Sequence, residues 1–274
     1  MNSKNLHHSP LGKKSTYLSH YQANLLFPIP RKNKRKEIGV DHTLPFQGND
    51  IWNAYELSWL NSKGKPIVAG AEFTIPCESP NLIESKSFKL YLNSYNNTLF
   101  DSFAAVENFL TRDLTAAAGA PVAIKLIPLK KASQVINQHF VGICLDELDI
   151  SCDTYSLNPE YLILEDSLIT ETLYSDLLKS NCLITGQPDW GSILISYTGK
   201  KIQSEGLLKY IISFRNHNEF HEQCVERIFI DIMRFCAPQK LLVYARYTRR
   251  GGLDINPYRA NYDVTLENIR LWRQ

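Results

Sequence analysis

No stretch of this chain is apolar for long enough to cross a bilayer. A membrane helix needs about 18 or more consecutive apolar residues, and none of the 274 residues lies in an uninterrupted run approaching that. The opening MNSKNLHHSPLGKKS also lacks the continuous apolar core of a secretory signal. A cytoplasmic protein without a membrane partner is expected. Charge of one sign is scarce too: a formal net charge of +2 gives no broad electrostatic trap for nucleic acid, so any polyanion site must be local. The cysteines Cys77, Cys144, Cys152, Cys182, Cys224 and Cys236 never form a C-x-x-C pair. In a reducing compartment that spacing offers neither a disulfide framework nor a zinc knuckle. Nor is there a G-x-G-x-x-G, so a Rossmann site is not supported.

What the chain has is ample core-forming material. With 44% hydrophobic and 21% charged residues it reads as folded, and its length suits one large domain or two of ordinary size at roughly 150 residues each. Residues 1–50 are polar and proline-dotted and read as an irregular lead-in. They include RKNKRK at 31–36, which reads either as solvated charge, the commoner meaning of such a run, or as a nucleic-acid or acidic-surface contact. From about residue 50 the texture changes to strand-like runs, IWNAYELSWL and PIVAGAEFTI, and KSFKLYLNS alternates Phe88, Leu90 and Leu92 with Lys89 and Tyr91 as a strand would. In DSFAAVENFLTRDL the apolar residues recur at threes and fours, which predicts a helix, and GAPVAIKLIPL returns to strand. The second half repeats the order: SILISYTG as strand, EGLLKYIISF and HEQCVERIFIDIMRFC as helices, KLLVYARYT as strand.

Four clusters can carry chemistry. In SNCLITGQPDWGS, Cys182 precedes Asp189 by seven residues. Fully stretched, that span would separate them by roughly 24 Å, so a bend is needed, and Gly186 and Pro188 favour one. Cys182 reads either as a small buried hydrophobe or as a nucleophile whose proton passes to Asp189. In HNEFHEQCVE, His217, His221 and Cys224 could share one helical face as metal ligands, or form a polar first turn with Cys224 entering the core. The carboxylate of Glu222 can accept two parallel hydrogen bonds from a guanine-like base. YTRRGGLD joins Arg249 and Arg250 to Gly251 and Gly252 after a strand, which suits phosphate oxygens or a plain turn. ESKSFKLY sets Glu84, Lys86 and Lys89 at the head of the expected strand.

Together, ESKSFKLYLNS, SNCLITGQPDWGS, SFRNHNEFHEQCVER and YARYTRRGGLDINP resemble the signature segments of the NADPH-dependent 7-cyano-7-deazaguanine reductases, the nitrile reductases of queuosine biosynthesis. The resemblance runs from about residue 50 to the C-terminus. It implies an α+β fold of two tandem tunnelling-fold modules, with antiparallel sheets and helices packed on one face. The first, 51–165, would carry ESKSFKLY and the second, 166–274, the catalytic cysteine, and the chain would form a homodimer. By the same resemblance Cys182 matches the nucleophile that forms a covalent thioimide with the nitrile, Asp189 the proton donor, and His221 a group helping to protonate the nitrogen. Glu84, Ser85, Lys86, His221 and Glu222 match positions that bind a small 7-deazaguanine substrate, and Lys86, Ser87, Arg250 and Gly251 match those for NADPH. No resident metal and no direct nucleic-acid partner are expected. Two rivals stand beside this: a zinc-dependent cyclohydrolase-like enzyme of the same superfamily using His217, His221, Cys224 or Cys182 as ligands, and an RNA-binding module using the basic run Arg31 to Lys36 and the arginines around Tyr247.

Overall fold

The computed structural model describes residues 17–129 and 138–274, so the opening segment of the lead-in lies outside the described residues. The chain divides into two compact units. Of the described residues, unit 1 takes 17–37, 50–129 and 249–254, and unit 2 takes 38–49, 138–248 and 255–274. Each unit draws on more than one stretch of the chain.

In unit 1, β1 (Pro28–Pro30) and α1 (Lys32–Glu37) are regular elements within the segment expected to be irregular. The basic run is largely explained by them. Arg31 is buried and donates to Asp50 at 2.5 Å and to Ser79 at 3.2 Å, and Arg35 donates to the carbonyl of Cys77 at 2.7 Å. Strands β2 (Asn49–Leu60), β3 (Pro66–Pro76) and β4 (Asn81–Ile83) follow. β1 pairs antiparallel with β4. On β2 the buried positions Asp50, Trp52 and Ala54 change phase to Leu57 and Trp59, with Tyr55 and Glu56 more exposed between them.

ESKSFKLY corrects the sequence expectation: it opens α2 (Ser85–Asn93), not a strand. Glu84 is the N-cap, its carboxylate accepting from Lys86 N at 2.7 Å and Ser87 N at 2.8 Å, which satisfies two of the helix's orphan donors. The alternation of Phe88, Leu90 and Leu92 coexists with a three-and-four spacing of Phe88, Tyr91, Leu92 and Tyr95, and burial follows the latter as well. Phe88 packs on Trp52 and Phe73 with centroids 5.1 Å away in each case. Burying a ring of that size contributes roughly 1.5–3 kcal/mol, enough to override a local strand pattern. The next helix, α3 (Phe103–Ala118), starts where predicted, with Ser102 Oγ capping Ala105 N at 3.1 Å and Phe103 against Trp59 at 4.8 Å. β5 (Ala123–Pro128) then pairs antiparallel with β3, giving the order β5-β3-β2.

Unit 2 contains β6 (Ile143–Cys144), β7 (Leu164–Ser175), β8 (Lys179–Asn181), β9 (Pro188–Ile202), α4 (Ser204–Ser213), α5 (His221–Cys236), β10 (Lys240–Tyr247) and most of β11 (Leu253–Ala260). The strands run in the order β11-β10-β9-β7-β6, antiparallel except for the short parallel pairing of β6 with β7. β7 and β11 gave no sequence signal strong enough to be expected. The apolar face read on HEQCVERIFIDIMRFC is the buried face of α5, with Val225, Ile228, Phe229 and Ile232 inaccessible to solvent. Two of its buried carboxylates are paired: Asp231 accepts from Tyr210 of α4 at 2.8 Å, and Glu226 accepts from Arg259 at 2.9 Å. The fold is therefore α+β, with largely antiparallel sheets and helices packed against them, as expected.

Candidate active site

In unit 2 the chemistry-bearing groups meet at the β8–β9 hairpin and the start of α5. Ser180 lies opposite Asp189 and Asn181 opposite Pro188. The connecting residues 182–187 bend back as the composition suggested. Cys182 N donates to Gln187 O at 2.8 Å, and Gly186 N donates to Cys182 O at 3.0 Å. Gly186 has φ +66, a conformation that costs glycine little. Cys182 is 6% exposed and Asp189 4%. Cys182 is thus nearly enclosed, at the head of a hairpin whose returning strand begins with the carboxylate.

The adjoining segment ahead of α5 is stitched to this hairpin. Asn181 N donates to His217 O at 2.8 Å, Glu219 N donates to Asn181 O at 3.1 Å, and Asn181 Nδ2 donates to Asn218 Oδ1 at 3.0 Å. These bonds fix the residue before Cys182 relative to the first turn of α5. His221 opens that helix, and its Nε2 stands 3.6 Å from Asp189 Oδ2. That separation is beyond hydrogen-bond length but within ion-pair reach. The imidazole lies at 4.0 Å and 48° to the ring of Tyr247. Glu222 follows it and is buried.

Glu219 anchors the segment. Burial alone would raise its pKa, but two hydrogen bonds from Arg227, at 2.8 and 2.7 Å, and one with His217 at 2.9 Å outweigh burial and hold the carboxyl at about 2. This arrangement undoes the metal-ligand reading. The helix begins at His221, so His217 lies outside it and shares no helical face with His221 and Cys224, and its ring is engaged by Glu219. Cys224 is fully enclosed, and burial pushes its thiol well up. Among the described residues no group of three or more His, Cys, Asp or Glu side chains is arranged to hold a metal.

Unit 1 holds the remaining expected residues. Glu84, Ser85, Lys86 and Ser87 lie together at the start of α2. Glu84 is buried at its cap. Ser87 is also buried, its hydroxyl donating to Glu84 O at 2.6 Å and accepting from Phe27 N at 3.0 Å. Arg250 and Gly251 sit in a tight turn in which Arg250 N donates to Leu253 O at 2.8 Å, with Gly251 at φ +59 and Gly252 at φ +78. Two successive residues of positive φ make the primed turn that favours glycine at both places. A Cβ built on Gly251 would meet only Lys89 Cγ, at 3.8 Å, so this turn and the basic head of α2 adjoin. Lys89 in turn is paired with Glu56. The donor set of Lys86, Lys89, Arg250 and bare glycine backbone fits the phosphates of a nicotinamide dinucleotide.

Two residues beside the unit 2 cluster were not singled out in the sequence. Ser180 and Tyr247 are fully enclosed, and both lie beside Cys224. Nothing local in the sequence marks them, because strand pairing brings them there.

Comparison with known proteins gives the family. Residues 17–126 match the family described as nitrile reductase, 7-cyano-7-deazaguanine-reductase N-term, and residues 188–265 match the one described as QueF-like protein. The class is therefore that of the nitrile reductases. Proteins named NADPH-dependent 7-cyano-7-deazaguanine reductase are similar along nearly the whole length. That of Dechloromonas aromatica is 60% identical over 98% of this chain and 96% of its own, and that of Chromobacterium violaceum is 59% identical over 97% of each. That of Legionella pneumophila is 58% identical over 97% of this chain and 95% of its own. The chain belongs to the family of NADPH-dependent 7-cyano-7-deazaguanine reductases.

Proposed function

We propose that this protein reduces the nitrile of 7-cyano-7-deazaguanine to the primary amine through a covalent thioimide on Cys182. The observation that carries the reading is the convergence in unit 2: a thiol at the head of a hairpin, a buried carboxylate at the start of its returning strand, and an imidazole 3.6 Å from that carboxylate. The family membership supplies the substrate and the reductant.

A thiol attacks well only as thiolate. Asp189 takes the proton of Cys182 as sulfur adds to the nitrile carbon, and returns it to the nitrile nitrogen, so a C–S bond forms, one π-bond is lost, and no electrons are exchanged. Bound NADPH supplies hydride, and four-electron reduction of one nitrile to one amine consumes two molecules in turn. After the first reduction the C–S bond breaks and Cys182 is regenerated. His221 delivers protons to the nitrogen, with Asp189 within ion-pair reach to steady its charged form. Near-complete enclosure of Cys182 and Asp189 keeps water from hydrolysing the adduct.

Glu222 is the carboxylate assigned to the deazaguanine, and Glu84, Ser85 and Lys86 are substrate-binding residues of the same proposal. A carboxylate there accepts from ring N–H and exocyclic amine side by side. Lys86, Arg250 and the Gly251 backbone hold NADPH phosphates, and Ser87 contributes through the cap that shapes the start of α2. The division into tandem tunnelling-fold modules at 51–165 and 166–274, the homodimer and the cytoplasmic location belong to this same proposal. Sedimentation across a concentration series tests the dimer.

The deciding experiment mixes enzyme with the nitrile and no NADPH, and weighs the intact protein. An added mass equal to the nitrile in the wild type, and none in Cys182→Ala, supports the thioimide. Turnover by Cys182→Ala, or no adduct in an active wild type, would end the covalent reading.

A further inference from the structure

We propose that Tyr247 is a positioning residue of the reaction: its ring forms the fixed surface against which the His221 imidazole is held in reach of Asp189. The inference rests on the roles proposed for His221 and Asp189, and it adds a residue those roles do not include.

Three observations carry it. First, His221 has almost nothing else to hold it: its Nε2 is buried without a hydrogen-bond partner, and the Asp189 carboxylate is 3.6 Å away. The ring of Tyr247, at 4.0 Å between centroids, is its aromatic contact. Second, a space is kept for that ring. Tyr247 ends β10 directly opposite Gly191 of β9, and a Cβ at Gly191 would lie 3.1 and 3.2 Å from Tyr247 Cδ1 and Cε1. A side chain at Gly191 would force the tyrosine ring to give way by a few tenths of an ångström. Third, the ring is itself fixed, since Tyr247 is fully enclosed, its hydroxyl set among Ser180 and Cys224. Full enclosure and the close fit against Gly191 set the ring's position.

Such a surface suits an imidazole that must carry a proton and then lose it. A hydrogen-bond partner would favour one protonation state, whereas an aromatic face restricts the ring's position with a weaker bias between them. The titratable groups facing His221 are Asp189 from β9 and Tyr247 from β10, with Glu222 and Cys224 on its own helix. Lys179 of β8 is within electrostatic reach of Asp189.

The test compares Tyr247→Leu, Tyr247→Phe and Gly191→Ala with the wild type, as full-length enzyme. Tyr247→Leu should lower kcat by about 10²-fold, as misplacement by an ångström does, with KM for NADPH unchanged and the limb of the pH–rate profile that reports His221 displaced. Tyr247→Phe keeps the ring and should retain the wild-type pH profile and most of kcat. Gly191→Ala removes no group but displaces the ring, and should move the same limb in the same direction as Tyr247→Leu. If Tyr247→Leu fails to fold, Gly191→Ala and Tyr247→Phe still decide: an unmoved limb in Gly191→Ala, or loss of activity in Tyr247→Phe equal to that of Gly191→Ala, overturns the proposal. Adduct formation with the nitrile alone should persist in all three variants. An active wild type without adduct would overturn the covalent reading and this inference together, whereas adduct in every protein with identical kcat and pH profile would overturn only the role of Tyr247.

Discussion

Arg227 clasps Glu219 with two parallel hydrogen bonds of 2.8 and 2.7 Å, and Glu219 in turn is bonded through its backbone to Asn181, the residue before Cys182. A buried ion pair thus holds the segment joining the hairpin of the thiol to the helix of the imidazole. Acid should loosen that segment. The Glu219 carboxyl is depressed to about 2 from an ordinary value of 4.5, so its stabilisation is fully present above about pH 4.5 and is lost as pH falls through about 2. Glu219→Gln leaves Arg227 buried and uncompensated, which should cost about 3–5 kcal/mol at neutral pH. Urea unfolding at pH 7 and pH 3 measures both, and the variant should lack most of the wild type's loss between them.

Asp189→Asn retains shape but cannot take up the thiol proton. Its kcat should fall by about 10²–10⁴-fold, with adduct formation slowed in stopped-flow assays to a similar degree. Equal adduct rates in variant and wild type would remove Asp189 from the attack step.

Arg250→Ala should raise KM for NADPH by about tenfold or more, because a charge-assisted hydrogen bond contributes about 1.5–3 kcal/mol. KM for the nitrile and the pre-steady-state adduct rate should not change. The two KM values read side by side provide the check.

Removal of the Glu84 carboxylate in Glu84→Ala leaves two N–H groups of α2 without their acceptor. The expected loss is about 0.5–2 kcal/mol of stability, visible as a lowered Tm, together with weaker nitrile binding. Glu84→Asp, which can still cap, should recover the Tm.

What the sequence made legible follows from how far apart the deciding contacts are. The helices α3 and α5 were readable because Val106, Leu110 and Leu114, and Val225, Ile228, Phe229 and Ile232, repeat every three or four residues and are buried together. The start of α2 was misread because its apolar residues satisfy two periods at once, and only the contacts of Phe88 with Trp52 and Phe73 choose between them. At the site, Cys182 and Asp189 were readable as a pair since one short bend with Gly186 joins them. Tyr247 was not, because its place beside His221 depends on the register of β10 against β9 and on an absent side chain at Gly191.

The run RKNKRK offers five cationic side chains on paper, but Arg31 and Arg35 turn inward to Asp50 and the Cys77 carbonyl. A trypsin-like protease meets a tether here instead of an open cleavage ladder, and an acidic partner meets a patch with two of its positive charges already committed to the interior.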